Sequence, residues 1–162
     1  MALLDQRLAQ EKMGAKVINA SISGDTTAGG QSRLSDLLTQ HHPSVVIIEL
    51  GGNDALRGLP LSKTQDNLLA MTRAAQAAGA RVLLLGMQVP PNFGQDYAQK
   101  FAATFVTVAK TTRAGLVPFL LKGVADGPDA MRFFQSDRIH PTEEAHPQIL
   151  DNVWPSVKKL LI

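Results

Sequence analysis

Short runs of aliphatic residues alternate along the chain with longer stretches whose apolar positions recur every three or four residues. The short runs are typical of strands and comprise "KVINA" (16–20), "SVVIIEL" (44–50), "RVLLLGM" (81–87) and "GLVPFL" (115–120). The second and third contain almost no polar residue. This pattern favours a parallel sheet whose two faces are both covered.

Helices are predicted over 2–13, 30–41, 62–78, 95–113 and 143–161. In the first and the last of these, the apolar residues fall near one stripe. The alternation of strands and helices predicts a single α/β domain over residues 1–162, with a mostly parallel sheet and helices on both faces. The chain opens on a helix, whereas a parallel βαβ unit begins with a strand. We therefore expect a strand and a loop upstream of Met1.

Composition and charge narrow the function classes. Of the 162 residues, 44% are hydrophobic and 19% are charged, which is typical of a globular domain. Lys and Arg (16) nearly balance Asp and Glu (14) without forming a basic cluster, so no nucleic-acid partner is expected. The absence of cysteine excludes disulfides, thiol catalysis and cysteine-ligated metals.

The N-terminal sequence does not resemble a signal peptide. Asp5, Gln6 and Arg7 interrupt the apolar region that such a peptide needs. No apolar run approaches the roughly 20 residues of a membrane span. We expect no signal peptide and no membrane span, and the sequence leaves the localisation open.

Ligands of open parallel sheets bind beyond the carboxyl ends of the strands, so the segments there are candidate sites. The first is "ASISGDTTAGG" (20–30), whose small residues leave backbone amides free to face an anion. The alternative is a flexible connection that leads into the helix and is capped by Asp25 or Thr27.

The second candidate segment is "ELGGNDALRG" (49–58), where Asn53 offers an amide donor for an oxyanion. Its neighbours Gly52 and Asp54 are candidate substrate-binding residues. The alternative here is an ordinary Asn/Asp turn.

The third segment, "QSDRIHP" (135–141), places His140 three residues after Asp137. Asp137 could fix one tautomer of His140 and stabilise the imidazolium that forms when His140 takes a proton. The alternative is a turn contact at the surface.

The sequence has no P-loop, dinucleotide-binding glycine pattern or H-E-x-x-H motif, so we expect no metal and no cofactor. The sequence "GGQSRL" departs from G-x-S-x-G, the motif that presents the nucleophilic serine of many hydrolases, because Leu34 replaces its last glycine.

Taken in order, "NASISGDTTAGG", "VVIIELGGNDALRG" and "DRIHPTEEAHP" resemble the SGNH hydrolases, also called GDSL esterases. The likeness is to the bacterial arylesterases, acyl thioesterases and lysophospholipases, whose members are usually periplasmic or secreted. It implies a three-layer α/β/α sandwich with a flavodoxin-like parallel sheet, and hydrolysis of small-molecule acyl esters through an acyl-enzyme. It also implies that Gly24 and Asn53 donate to the oxyanion, and that His140 is the base oriented by Asp137.

The family's nucleophile is a serine in a "GDSL"-like block after the first strand. No Gly-Asp-Ser sequence occurs in these residues, and the chain aligns downstream of that block. The resemblance thus implies an N-terminally truncated domain that lacks its nucleophile and its first, central strand. Two alternatives are an esterase that recruits another serine, of which Ser23 is the best placed, and a non-catalytic module that binds esters or lipids. A strand gap also predicts self-association into a homo-oligomer.

Overall fold

The computed structural model describes all 162 residues except the side chain of Pro91. Two compact units are present, one formed by Ala20–Phe119 and the other by Met1–Asn19 together with Leu120–Ile162. The helices are α1 (Ala2–Gln10), α2 (Thr27–His41), α3 (Gly52–Leu56), α4 (Leu61–Ala77), α5 (Gln95–Thr112) and α6 (His146–Leu161). The strands are β1 (Val45–Ile48), β2 (Arg81–Leu85) and β3 (Gly115–Val117). The interpretation as a single domain stays a prediction.

The three strands form a parallel sheet in the order β1-β2-β3, which confirms the predicted α/β class. Val46 lies opposite Val82, and Leu84 lies opposite Leu116. In the central strand β2, residues 82–85 are all buried, as expected for a strand covered on both faces. In β1 only Ile48 is buried and the other three residues are half-buried, so the same expectation is wrong for β1. The reason is its position, because an edge strand has a neighbour on one side only.

The predicted strand over 16–20 is absent from the described structure, where residues 13–22 form neither helix nor strand. Strand-forming residue types alone do not create a strand, because the backbone groups need a neighbouring ladder. None of the three strands in the described sheet pairs with this segment. The prediction of four strands was therefore wrong by one.

Helices α4 and α5 pack on the sheet and form most of the core of the larger unit. Leu68 of α4, Leu84 of β2 and Phe101 of α5 are fully buried in one cluster. Aromatic rings four residues apart contact one another from Phe93, just before α5, through Tyr97 and Phe101 to Phe105 within it. The predicted bounds of both helices agree with the structure to within one residue.

In the smaller unit, α1 packs on α6. Leu8 is buried there, and the guanidinium of Arg7 lies 5.6 Å from the ring centre of Trp154. Lys158 Nζ donates to Glu11 Oε2 at 2.6 Å, and this hydrogen bond is the main reason why the pKa of Glu11 is lowered. Helix α6 begins at His146, later than predicted, because residues 143–145 form a 3₁₀ turn. None of the helices described is long and apolar enough to cross a membrane.

Candidate active site

The Asp137–His140 pair lies in a short loop closed by backbone hydrogen bonds. Gln135 N donates to His140 O at 2.8 Å, and Thr142 N donates to Phe133 O at 2.7 Å. These bonds bring the two ends of the loop together around a left-handed residue, Arg138 (φ 58°). The loop therefore has a defined shape although its residues from 135 to 140 are exposed.

Asp137 uses both carboxylate oxygens to hold His140. Its Oδ1 accepts the backbone N–H groups of Ile139 (2.9 Å) and His140 (3.0 Å), and its Oδ2 lies 2.7 Å from His140 Nδ1. The contact with the imidazole, followed by the two backbone bonds, lowers the pKa of Asp137 to about 2. The carboxylate is thus charged at neutral pH and is oriented toward Nδ1. Nε2 of His140 takes no part in this contact, and the imidazole is exposed.

Gly24 lies in an exposed turn that leads into α2. Its φ is +77°, a left-handed conformation that favours glycine, and space remains open around the position of a Cβ. The preceding residue, Ser23, is also exposed. The cap of α2 is Thr26, whose hydroxyl accepts from Gly29 N at 3.2 Å. This differs from the alternative given by the sequence, in which Asp25 or Thr27 is the cap. Asp25 instead accepts the N–H of Thr26 and pairs with Arg33.

Asn53 lies on α3, a helix of five residues that follows the loop after β1 and begins directly after a left-handed Gly51 (φ 117°). A Cβ at position 51 would lie 3.1 Å from Phe105 Cζ, so only glycine suits this junction. Asn53 Nδ2 donates to Asp25 O at 3.0 Å, and Arg57 Nη2 donates to Gly24 O at 2.8 Å. The side chain of Asn53 thus lies against the turn that carries Gly24. That the two donors converge on one oxyanion stays a prediction.

Asp54 and Gly52, the two neighbours of Asn53, lie in different surroundings. Gly52 is half-buried with no atom within 4 Å of a Cβ position, so it borders open space. Asp54 is 2% exposed, and its carboxylate bonds Thr27 and Thr64. The sequence predicts that Asp54 contacts substrate, whereas its side chain points to the protein interior. No group of three or more described His, Cys, Asp or Glu residues is placed to hold a metal ion.

Comparison with known proteins identifies the family. Residues 1–147 match the sequence model of the GDSL-like Lipase/Acylhydrolase family. The chain is 50% identical to Esterase TesA of Pseudomonas aeruginosa over 161 residues, which cover 99% of this chain and 79% of that protein. It is 39% identical to an arylesterase of Vibrio mimicus, over 99% of this chain and 78% of that one. The chain belongs to the GDSL-like lipase/acylhydrolase family.

A solved structure supports the same assignment. The psychrotrophic esterase EstA from Pseudoalteromonas, crystallised in a form inhibited by monoethylphosphonate, superposes with a TM-score of 0.90. It is 40% identical, and the match covers 98% of this chain and 85% of that one. The chain therefore has the α/β fold of these GDSL-like hydrolases and belongs to a class of carboxylic ester hydrolases.

Within this GDSL-like fold, the sequence indicated some site residues and missed others. Gly24, Asn53, Asp137 and His140 stood out because each lies in a short motif. Arg57 and the threonines that bond Asp54 were missed. Thr27 lies 27 residues from its partner Asp54, and Arg57 lies 33 residues from its partner Gly24. No local sequence pattern therefore reveals these contacts.

Proposed function

We propose that this chain supplies the base and the oxyanion donors for hydrolysis of acyl esters, with short-chain or aryl esters, thioesters and lysophospholipids as the substrate class. The observation that carries the proposal is the 2.7 Å contact between Asp137 Oδ2 and His140 Nδ1. This contact fixes the proton on Nδ1 and leaves Nε2 as the basic nitrogen. The names of the relatives, an esterase and an arylesterase, favour the same reaction.

In the proposed reaction a serine Oγ attacks the ester carbonyl carbon while its proton passes to Nε2 of His140. The carbonyl oxygen becomes an oxyanion that accepts hydrogen bonds from Gly24 N–H and Asn53 Nδ2. The imidazolium then gives its proton to the leaving oxygen or sulfur as the acyl bond breaks. Water repeats the two steps on the acyl-enzyme, which releases the acid and restores the serine.

These 162 residues contain no Gly-Asp-Ser sequence to which the serine could be assigned. We propose that the nucleophile belongs to a Gly-Asp-Ser block outside them. Ser23 is the second candidate, because it is exposed and lies directly beside Gly24. A non-catalytic module that binds esters or lipids is the remaining alternative.

One comparison tests these assignments. Hydrolysis of p-nitrophenyl acetate is measured for the chain, for its Ser23→Ala variant, and for a protein extended at the N-terminus by a strand and a Gly-Asp-Ser loop. Each protein is also treated with a serine-directed organophosphate, and the modified residue is located by mass spectrometry. We expect rapid turnover and labelling only in the extended protein, on its added serine.

Other outcomes identify the alternatives. Rapid turnover by the unextended chain that disappears in Ser23→Ala would assign the nucleophile to Ser23. Saturable binding of a lysophospholipid, with no turnover in any of the three proteins, would favour a binding module.

A further inference from the structure

An almost fully buried carboxylate lies next to the proposed oxyanion donors. Asp54 is 2% exposed, and Thr27 and Thr64 beside it are fully buried. Asp54 Oδ2 accepts the backbone N–H of Thr27 at 2.9 Å, and Oδ1 accepts the hydroxyls of Thr27 (2.5 Å) and Thr64 (3.1 Å). Asn67 Nδ2 donates to the same Thr27 hydroxyl at 3.0 Å, so that hydroxyl both donates and accepts. A buried carboxylate needs such donors because burial removes its water.

These bonds join two segments that carry the proposed donors. Thr27 is the first residue of α2 and ends the turn that contains Gly24, while Asp54 follows Asn53 in α3. Three side chains of the segment 53–57 bond three nearby groups of the turn. Arg57 donates to Gly24 O, Asn53 donates to Asp25 O, and Asp54 accepts from Thr27 N.

Among these three contacts the one made by Asp54 is the most protected from water. Arg57 is exposed and Asn53 is half-buried, so solvent competes with their hydrogen bonds. The bonds of Asp54 are charge-assisted and buried, which makes them stronger than neutral or exposed ones. Helix α4 supports this group of bonds in two ways: Thr64 donates to the Asp54 carboxylate, and Asn67 donates to the Thr27 hydroxyl. Helix α4 itself packs on the sheet. The turn is thereby connected to the core of the larger unit.

We propose that Asp54 is a positioning residue that holds the turn carrying Gly24 against the helix carrying Asn53, so that the two donors keep a fixed spacing. The inference rests on the proposed function, in which these donors stabilise the oxyanion. Donors of an oxyanion hole are effective when they are held in place before the reaction, and a turn free to move loses this advantage. Removing Asp54 should then lower kcat and leave KM nearly unchanged, because substrate does not touch it.

The first measurement needs no turnover. Residue-resolved amide hydrogen exchange is followed by NMR in the 162-residue chain, in Asp54→Ala and in the matched control Asp66→Ala, whose carboxylate is exposed on α4. We expect Asp54→Ala to speed exchange at Asp25, Gly29 and Gly30 by about tenfold or more, the effect of losing a charged hydrogen bond on local opening. Exchange in β2 should not change, and Asp66→Ala should resemble the unaltered chain. If Asp54→Ala does not fold, Thr27→Val gives the same test, since it removes one donor to Asp54 and keeps the buried volume.

The second measurement uses the N-terminally extended protein described above. We expect Asp54→Ala to lower kcat about 10²-fold, since a displacement of about 1 Å suffices for such a loss. KM should stay within about a factor of two.

Unchanged exchange over residues 25–30 would overturn the proposal, whether or not the extended protein is active. Faster exchange that extends equally to β2 would also overturn it, because that result marks a general loss of stability. A raised KM with unchanged kcat would show that Asp54 acts on substrate instead. An inactive extended protein would count against the proposed function alone, since the exchange measurement decides the role of Asp54.

Discussion

Asp137 and His140 contact each other three residues apart, with Oδ2 of the first 2.7 Å from Nδ1 of the second. The other oxygen, Oδ1, is held by two backbone N–H groups of the same turn. The carboxylate is therefore fixed by the backbone before it orients the imidazole. Side-chain exposures of 42% for Asp137 and 61% for His140 leave the pair open to solvent.

Replacing Asp137 should change both the histidine and its response to acid. The pKa of Asp137 lies near 2, below its usual 3.8, so its bonds stabilise the fold above about pH 4 and are lost as the pH falls toward 2. We expect the ¹⁵N NMR signals of His140 to report a fixed Nδ1–H tautomer in the unaltered chain and a mixture of tautomers in Asp137→Asn. In the extended protein, kcat should fall by about 10⁴-fold, as for other bases that lose their orienting carboxylate. A fixed tautomer in the variant would contradict this role.

His140→Ala should lower ester turnover by several orders of magnitude, because it removes the group proposed to take the serine proton. The measurement is kcat of the extended protein on p-nitrophenyl acetate. His146→Ala is the matched control, since His146 is exposed at the start of α6. Near-normal turnover in His140→Ala would mark the Asp137–His140 pair as a structural turn.

The part of this site that was predictable from sequence is the part built by local contacts. Asp137 and His140 interact across three residues, so their spacing alone indicated the contact. The runs at β1, β2 and β3 were also recognisable, because strands in a parallel sheet are nearly all apolar. Helix α3 was not predicted, since five residues show no helical periodicity.

The remaining features depend on partners that are distant along the chain. The burial of Asp54 follows from Thr27, 27 residues earlier, and from Thr64, 10 residues later. Aspartate is a polar residue, and nothing near Asp54 in the sequence shows that it is buried. Likewise, 16–20 has strand-forming residues, but only the described sheet shows that β1 does not pair with it.

The adjacent glycines Gly51 and Gly52 should respond differently to alanine. Gly51 has a φ of +117° and lies against Phe105, whereas Gly52 begins α3 next to open space. Gly51→Ala should lower the free energy of unfolding by about 1–3 kcal/mol, because alanine is strained in this conformation. Gly52→Ala should change it by less than about 1 kcal/mol. Urea denaturation measures both, and equal effects would contradict the assigned strain.

The chain should self-associate through the unpaired side of β1. Edge strands present free N–H and C=O groups, and three of the four residues of β1 are only half-buried. Sedimentation velocity should show a concentration-dependent oligomer that Ile47→Lys weakens. Thr107→Lys, which adds the same charge on the exposed side of α5, should leave it intact. A monomer at all concentrations would contradict the expectation.

The unextended chain should be a poor esterase. A histidine base without a serine can activate only water, and the reaction then lacks the covalent intermediate that divides acyl transfer into two easier steps. The resemblance to the SGNH hydrolases also implies that the serine donates its own N–H to the oxyanion, and losing one such donor typically costs about 10²–10³ in rate. Gly24, Asn53 and binding contacts should leave a residual enhancement over water of about 10³–10⁴.

Replacing Ser23 most directly tests the expectation that the unextended chain is a poor esterase. It is exposed beside Gly24, and its hydroxyl makes none of the hydrogen bonds seen in the described structure. Ser23→Ala should therefore leave the residual rate of p-nitrophenyl acetate hydrolysis by the 162-residue chain within about twofold, the change expected of a group that takes no part in the transition state. Strong turnover by the unaltered chain, lost in Ser23→Ala together with organophosphate labelling, would instead make Ser23 the nucleophile. The turn at Gly24 would then have to bring both the serine hydroxyl and an oxyanion donor to the same carbonyl.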